Sequence, residues 1–287
     1  MSQIIDGKQR ALEIRRFLKL EVAAFTKETS VVPCLAALLV ENDPASQVYV
    51  RNKEKACEKV GIESRTQRLP ADLSESDLLE VVQDLNADPS VHGILVQLPL
   101  PSHINPEPII QAISPKKDVD GIHPTNLGRL MRGQDTFVAC TPSGIMDLLD
   151  TLNLDLTGKH AVVIGRSLIV GMPLSMLLLE RNMTVTMCHS RTQDLPAVAS
   201  TADVLVAAVG RPQLVTGDFI KEGAVVIDVG VNRLPDGSLV GDVHFKQAIE
   251  RASAITPVPR GVGPMTIAKL LENVFKAAKS YSLASTR

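Results

Sequence analysis

The sequence predicts an α/β protein of two domains with a cleft between them. Three observations carry that reading. The chain has 287 residues, more than one domain usually spans. Short apolar runs alternate with helix-period stretches, the pattern of a parallel sheet covered on both faces. The alternation breaks over 118–144, where KDVDGIHPTNLGRLMRG and CTPSG intervene, and this break marks a domain crossover. The expected division places 1–138 with 265–287 in one domain and 139–264 in the other.

Each element has a local reason. GKQRALEIRRFLKLEVAAF repeats its apolar residues at helical spacing, and CLAALLV (34–40) is a buried strand. Asp43 and Pro44 read as N-cap and first position of a helix that carries Tyr49 and Lys53. Ser74 with Asp77 forms a capping box for SESDLLEVVQDLN. GILVQLPLP (93–101) is a strand stopped by its prolines. A second series reads HAVVIG (160–165), TVTMCH (184–189), VLVAAVG (204–210) and AVVIDVG (224–230), with helices between the first three. TPVPRGVGPMT (256–266) is a loop rigid at its prolines and permissive at its glycines, suited to line a cleft, and Pro264 then starts the helix MTIAKLLENVFKAA. The tail KSYSLASTR lacks an apolar face and is expected to fray.

Composition narrows the function. A net charge of −2 offers nothing to nucleic acid or an anionic membrane, and 3% aromatics without Trp leave few base-stacking platforms. The N-terminal MSQIIDGKQR lacks a signal peptide's apolar core, and no apolar run reaches the ~18 residues of a membrane span. Cys34, Cys57, Cys140 and Cys188 are isolated, which fits reduced thiols in a cytoplasmic protein. No ligand spacing suggests a metal, and no serine sits in a nucleophile elbow.

Several positions carry chemistry. In HAVVIGRSLIVGMP a strand runs through a tight turn into a helix, with Gly165 ending the strand and Gly171 permitting close packing. Backbone N–H groups at such a helix start bind pyrophosphate, although G-x-S-x-x-x-G equally describes an ordinary strand–helix turn. The next strand ends in Cys188-His189-Ser190-Arg191, without the acid that holds an NAD ribose. A hydroxyl and a guanidinium there suit a 2′-phosphate, with Arg166 as a second clamp, so NADP is the expected cofactor. The bland alternative for Arg191 is a solvated surface charge. Gln97 ends an apolar strand, where a buried amide needs partners and ligands of α/β sheets gather. Its alternative is a bond to its own loop. Asp118 and Asp120 precede Gly121 and could be turn chemistry alone. Tyr49 and Lys53 share a helical face, either as a proton-handling pair or as a surface tyrosine beside one of many lysines.

In order along the chain, YVRNK, GILVQLPLP, KDVDG, TPSG, GRSLIVGMP, TVTMCHSRT and PVPRGVGPMT resemble the bifunctional methylenetetrahydrofolate dehydrogenase/cyclohydrolases. The resemblance implies a Rossmann-like second domain, a cytosolic homodimer, and long helices joining the domains. It implies NADP-dependent oxidation of 5,10-methylenetetrahydrofolate to the methenyl cation, then hydration to 10-formyltetrahydrofolate. Matched motif by motif, Lys53 is the key catalytic residue, Tyr49 lines the folate site, Gln97 tunes the lysine and Asp120 holds the pterin. Leu98, Pro99, Gly261, Val262 and Pro264 fall in the substrate motifs. Gly165, Arg166, Ser167, Ser190, Arg191 and Val231 fall on the NADP side.

A free lysine, with a pKa near ~10.4, serves as a base at neutral pH once lowered toward about 7–8. Partial burial and a cationic substrate both act in that direction, and an uncharged Gln97 orients the amine without opposing them. One departure from the family pattern stands out: PVPGGVGPMT is usual, and here Arg260 replaces the first glycine. At positive φ it would cost about 1 kcal/mol, and its charge could instead favour an anionic folate tail. Short-chain dehydrogenases also use Tyr-x-x-x-Lys, but after the glycine turn rather than before it. A monofunctional NAD-dependent dehydrogenase and a folate- or nucleotide-binding module without turnover are the remaining rivals. Ser190 with Arg191 opposes the first, and Tyr49, Lys53, Gln97 and Asp120 oppose the second.

Overall fold

A computed structural model describes residues 2–40 and 44–285. The chain forms two compact units, one of Glu13–Val138 with Ile267–Arg287 and one of Met1–Leu12 with Ala139–Thr266. The first dozen residues therefore group with the second sheet, whereas the sequence placed them in the first domain. Gln3 and Ile4 pair in parallel with Ala254 and Ile255, a two-residue strand too short to show in periodicity.

In chain order the elements are β1 (Gln3–Ile4), α1 (Gly7–Thr29), β2 (Cys34–Val40), α2 (Pro44–Val60), β3 (Glu63–Leu69), α3 (Glu75–Ala87) and β4 (Gly93–Val96). Helices α4 (Pro106–Ala112) and α5 (Pro124–Met131) follow. Three strands form a parallel sheet, β3-β2-β4. Its central strand β2 is buried at every residue, which is why it reads as an unbroken apolar run. The edge strand β3, ESRTQRL, is partly exposed throughout and is absent from the sequence reading. The Ser74 hydroxyl accepts the Asp77 N–H at 3.1 Å and caps α3 as expected. The expected cap Asp43 lies outside the described residues. β4 ends at Val96, short of the predicted 101, because Pro99 and Pro101 have no N–H for a ladder. Leu38, Ile94 and Val96 pack on Leu78 and Val82 of α3 and Ile109 of α4.

The other unit contains α6 (Cys140–Asp150), β5 (His160–Ile164), α7 (Gly171–Glu180), β6 (Thr184–Cys188), α8 (Leu195–Ala199), β7 (Val204–Ala207) and β8 (Val225–Asp228). It continues with a hairpin of β9 (Asn232–Arg233) and β10 (Leu239–Val240), then α9 (Phe245–Arg251) and β11 (Ala254–Ile255). The six-stranded sheet runs β1-β11-β8-β7-β5-β6 and every pairing is parallel. From β5 the chain goes to β6 on one side and then crosses to β7 on the other. The carboxyl end of β5 is therefore a topological switch point, where such sheets bind ligands.

Helix α10 (Val262–Ser285) begins two residues before Pro264 and takes in the tail expected to fray as far as Ser285, the last described residue. Tyr281 stands edge-on to His92 at a 6.0 Å centroid distance, with the Lys117 ammonium 5.5 Å from its ring. These contacts anchor the start of the tail just after buried Ala277 and Ala278. Among the described residues no helix is long and apolar enough to cross a membrane.

Candidate active site

In the Glu13–Val138 unit, α2 carries Tyr49 and Lys53 one turn apart, and β4 delivers Gln97 just past its last residue. Lys53 Nζ donates to Gln97 Oε1 at 2.9 Å. Gln97 Nε2 donates to the Leu98 carbonyl at 2.7 Å, and its backbone N–H to the Leu38 carbonyl at 2.9 Å. One end of the amide is tied to its own loop, as the bland alternative expected, and the other faces the lysine. The next peptide, Leu98–Pro99, is cis. Tyr49 is 44% exposed, a phenol open to a ligand.

The two aspartates of KDVDG separate. Asp118 is 1% exposed and accepts from the N–H groups of Gly121 (3.1 Å) and His123 (2.8 Å) and from Asn126 Nδ2 (2.7 Å). It builds the turn. Asp120 is partly exposed. Lys117, also buried, donates to the carbonyls of Leu85 (3.0 Å) and Asp88 (2.7 Å) and so closes the end of α3. Burial lowers its pKa, but its contacts make it a structural cation. Burial pushes the Cys34 thiol up to about 11 and the Cys57 thiol up to about 12, which disfavours the nucleophilic thiolate at both.

In the other unit, Gly165 has φ +125°, and a Cβ there would lie 2.2 Å from the Ala208 carbonyl oxygen. A Cβ on Gly171 would lie 2.0 Å from the Gly165 carbonyl oxygen. The strand-to-helix turn is therefore open to glycine alone at two places, and it leaves a cradle at the switch point. Val170 heads α7 without a side-chain cap, while Ser167 Oγ accepts the Val170 N–H at 3.2 Å. Arg166 and Ser167 are both exposed. After β6, His189 Nδ1 accepts the Arg191 N–H (3.1 Å), and Thr192 Oγ1 accepts the His189 N–H (2.9 Å). His189 shapes this turn, which leaves the Ser190 and Arg191 side chains in solvent. Val231 is 46% exposed. A glycine cradle, an uncapped helix start and a hydroxyl–guanidinium pair fit a dinucleotide with a 2′-phosphate.

Arg260 has φ +91°, the conformation in which its family's usual glycine is at ease. Its guanidinium pairs with the Asp6 carboxylate, and its carbonyl accepts the Lys8 N–H at 2.9 Å. The Gln9 backbone N–H, more than the guanidinium, holds the Asp6 carboxyl below its usual range. Its neighbour Gly261 is needed: a Cβ would lie 2.5 Å from the Pro257 carbonyl oxygen. Val262 and Pro264 lie in the first turn of α10.

Sequence reasoning missed one group, the buried aspartates Asp228 and Asp242, 4% and 0% exposed. Burial, and secondarily the nearby Asp242 charge, pushes the Asp228 carboxyl up to about 7, against N–H groups that hold it down. The available signal was an Asp next to or near glycine in both DVG and GDV, at the end of a strand.

These features define a dinucleotide-dependent α/β enzyme with a lysine-bearing second unit. Residues 5–120 match the tetrahydrofolate dehydrogenase/cyclohydrolase catalytic domain, and 139–282 match the NAD(P)-binding domain of the same family. The bifunctional protein FolD of Moorella thermoacetica is 57% identical over 278 residues, covering 97% of this chain and 99% of that protein. A crystal structure of the bifunctional FolD enzyme of Campylobacter jejuni superposes with a TM-score of 0.95 at 47% identity, covering 98% and 99% of the two chains. The Trypanosoma brucei dehydrogenase-cyclohydrolase, solved with NADP and an inhibitor, has a TM-score of 0.93 at 39% identity over 97% of this chain and 98% of that one. The chain belongs to the tetrahydrofolate dehydrogenase/cyclohydrolase family.

Proposed function

We propose that this chain oxidises 5,10-methylenetetrahydrofolate with NADP to the methenyl cation and then hydrolyses it to 10-formyltetrahydrofolate, as a homodimer in the cytoplasm. The observation that carries the reading is the 2.9 Å bond from Lys53 Nζ to Gln97 Oε1. It sets the amine against the oxygen of a neutral amide, which orients it to move a proton. Lys53 takes a proton from the water that attacks the methenyl carbon. The bond from that carbon to N5 then breaks, N5 keeping the electron pair and taking up a proton, while the added hydroxyl gives up its proton to become the formyl carbonyl on N10. Gln97 orients the amine, Tyr49 borders the reacting centre, Asp120 holds the pterin, and Leu98 and Pro99 shape the wall beside it. Gly261, Val262 and Pro264 supply a second set of substrate contacts.

When bound, NADP supplies the hydride acceptor for the first step. Backbone groups of Gly165, Arg166 and Ser167 hold its phosphates, Ser190 and Arg191 take the 2′-phosphate, and Val231 packs on the dinucleotide. Family membership and the absence of an acid after β6 support NADP over the NAD-dependent, monofunctional alternative.

The test is turnover of 5,10-methylenetetrahydrofolate with NADP or NAD, following the methenyl absorbance and its decay. Formation and then loss of methenyl, with NADP preferred, is expected. Methenyl that forms and persists, or equal use of NAD, would favour the monofunctional enzyme.

A further inference from the structure

The two aspartates missed in the sequence cross over one another at the carboxyl edge of the six-stranded sheet. Asp228 Oδ1 accepts the N–H groups of Gly230 (3.0 Å) and Asp242 (2.9 Å), and Oδ2 accepts that of Val243 (2.9 Å). Asp242 Oδ2 accepts the N–H groups of Val209 (2.6 Å) and Gly210 (2.9 Å), and Oδ1 accepts from Asn232 Nδ2 (2.9 Å). Each carboxylate fills the space over a glycine beside the other: a Cβ on Gly241 would lie 1.8 Å from Asp228 Oδ2, and one on Gly230 would lie 2.2 Å from Asp242 Oδ1. Thr256 Oγ1 accepts the Asp228 N–H at 2.7 Å, which ties the start of the 256–266 loop into the same network.

Burying two carboxyl groups is costly unless each is hydrogen-bonded, and a plain turn can be built without them. Their partners show what they hold. Val209 and Gly210 directly follow Ala208, whose carbonyl oxygen occupies the space over Gly165. Gly230 and Asn232 flank Val231. The carboxylate of Asp242 therefore sets the turn against which the glycine cradle rests, and with Asp228 it fixes both sides of Val231.

We propose that Asp242 is a positioning residue for the dinucleotide: it pins the 209–210 turn and the 230–232 segment so that the Gly165 cradle and Val231 are presented together. The inference rests on the reading of this edge as the NADP site. Asp242 does not touch the reacting atoms, and its loss should act on cofactor affinity rather than on folate binding.

The geometry prescribes the test. In Asp242→Asn one amide oxygen can still serve Val209 and Gly210, but the new NH2 meets the NH2 of Asn232. Asn232→Asp combined with Asp242→Asn restores donor facing acceptor across the same 2.9 Å. Calorimetry with NADP and, separately, with tetrahydrofolate should show at least a tenfold loss for NADP in Asp242→Asn and less than a twofold change for tetrahydrofolate. Amide exchange at Val209 and Gly210 in the ligand-free protein should accelerate. The double variant should return NADP affinity to within about threefold of the original. If Asp242→Asn does not fold, Asn232→Ala, which removes one donor from the same carboxylate, is expected to weaken NADP severalfold. Unchanged NADP affinity with faster amide exchange, or equal loss for both ligands without rescue, would overturn the proposal. No NADP binding by the unaltered protein would overturn the cofactor reading instead, while the exchange rates still report whether Asp242 holds the turn.

Discussion

Replacing Gln97 with glutamate puts a carboxylate oxygen where the amide oxygen now lies, 2.9 Å from Lys53 Nζ. Coulomb attraction at that separation is about 1.4 kcal/mol at the dielectric of water and about 6 kcal/mol at an effective value near 20. Both side chains are partly exposed, so the lower figure is the safer floor. It favours the ammonium, and the amine then becomes available at higher pH. One pH unit corresponds to about 1.4 kcal/mol, so the acidic limb of the cyclohydrolase pH–rate profile should move up by about one unit or more. The dehydrogenase step needs alignment more than proton movement, and its profile should shift less. The substitution also removes the Nε2 donor to Leu98, a cost of about 1 kcal/mol that lowers both rates without moving either limb. The assay is methenyl hydrolysis and methenyl formation measured across pH in both proteins. Both rates lowered equally, with the hydrolysis limb unmoved, would refute Lys53 as the titrating base.

Other substitutions probe the rest. Arg191→Asp puts repulsion where the 2′-phosphate is expected, so NADP should bind at least about tenfold worse by calorimetry while NAD changes little; equal weakening would make Arg191 structural. Gly165→Ala forces a Cβ to within 2.2 Å of the Ala208 carbonyl oxygen at φ +125°, a strain of about 1–3 kcal/mol or more, so both the melting temperature and NADP affinity should fall. Arg260→Gly relieves roughly 1 kcal/mol of positive-φ strain and gives up an exposed ion pair worth at most about 1 kcal/mol, so denaturant unfolding should show little net change. Arg260→Ala keeps the strain and loses the pair, and it should be the less stable of the two by about 1 kcal/mol.

Buried strands were legible because burial on both faces writes itself as an apolar run: CLAALLV and HAVVI are strands within a residue of where they were read. ESRTQRL was not, since an exposed edge strand carries charges that mimic a loop. β1 and β11, two residues each, exist through partners far away in sequence, and no local pattern encodes them. The tail misled because Tyr281 finds its partners His92 and Lys117 across most of the unit's sequence. At the site, Gln97 and the glycine turn were readable from where they fall on strand ends. Which aspartate of KDVDG builds the turn was not, because Asp118 and Asp120 differ in burial rather than in chemistry. Asp228 and Asp242 escaped for a related reason. Each looks like ordinary turn chemistry beside a glycine, and their significance lies in the crossing of two distant segments.

Lys53 is proposed as the group that moves the proton in hydration, and Lys53→Met tests that role most directly. Methionine keeps the length and apolar stem but removes the amine, so packing loss should be small. Single-turnover absorbance with 5,10-methylenetetrahydrofolate and NADP reads both steps in one trace. Hydrolysis should slow by about 10²–10⁴-fold, the usual worth of a general acid or base, while methenyl formation retains much more of its rate. Methenyltetrahydrofolate would then accumulate instead of passing to the formyl product. Equal loss of both steps, with tetrahydrofolate binding weakened in proportion, would contradict the proton-moving role and leave Lys53 as a residue that positions substrate.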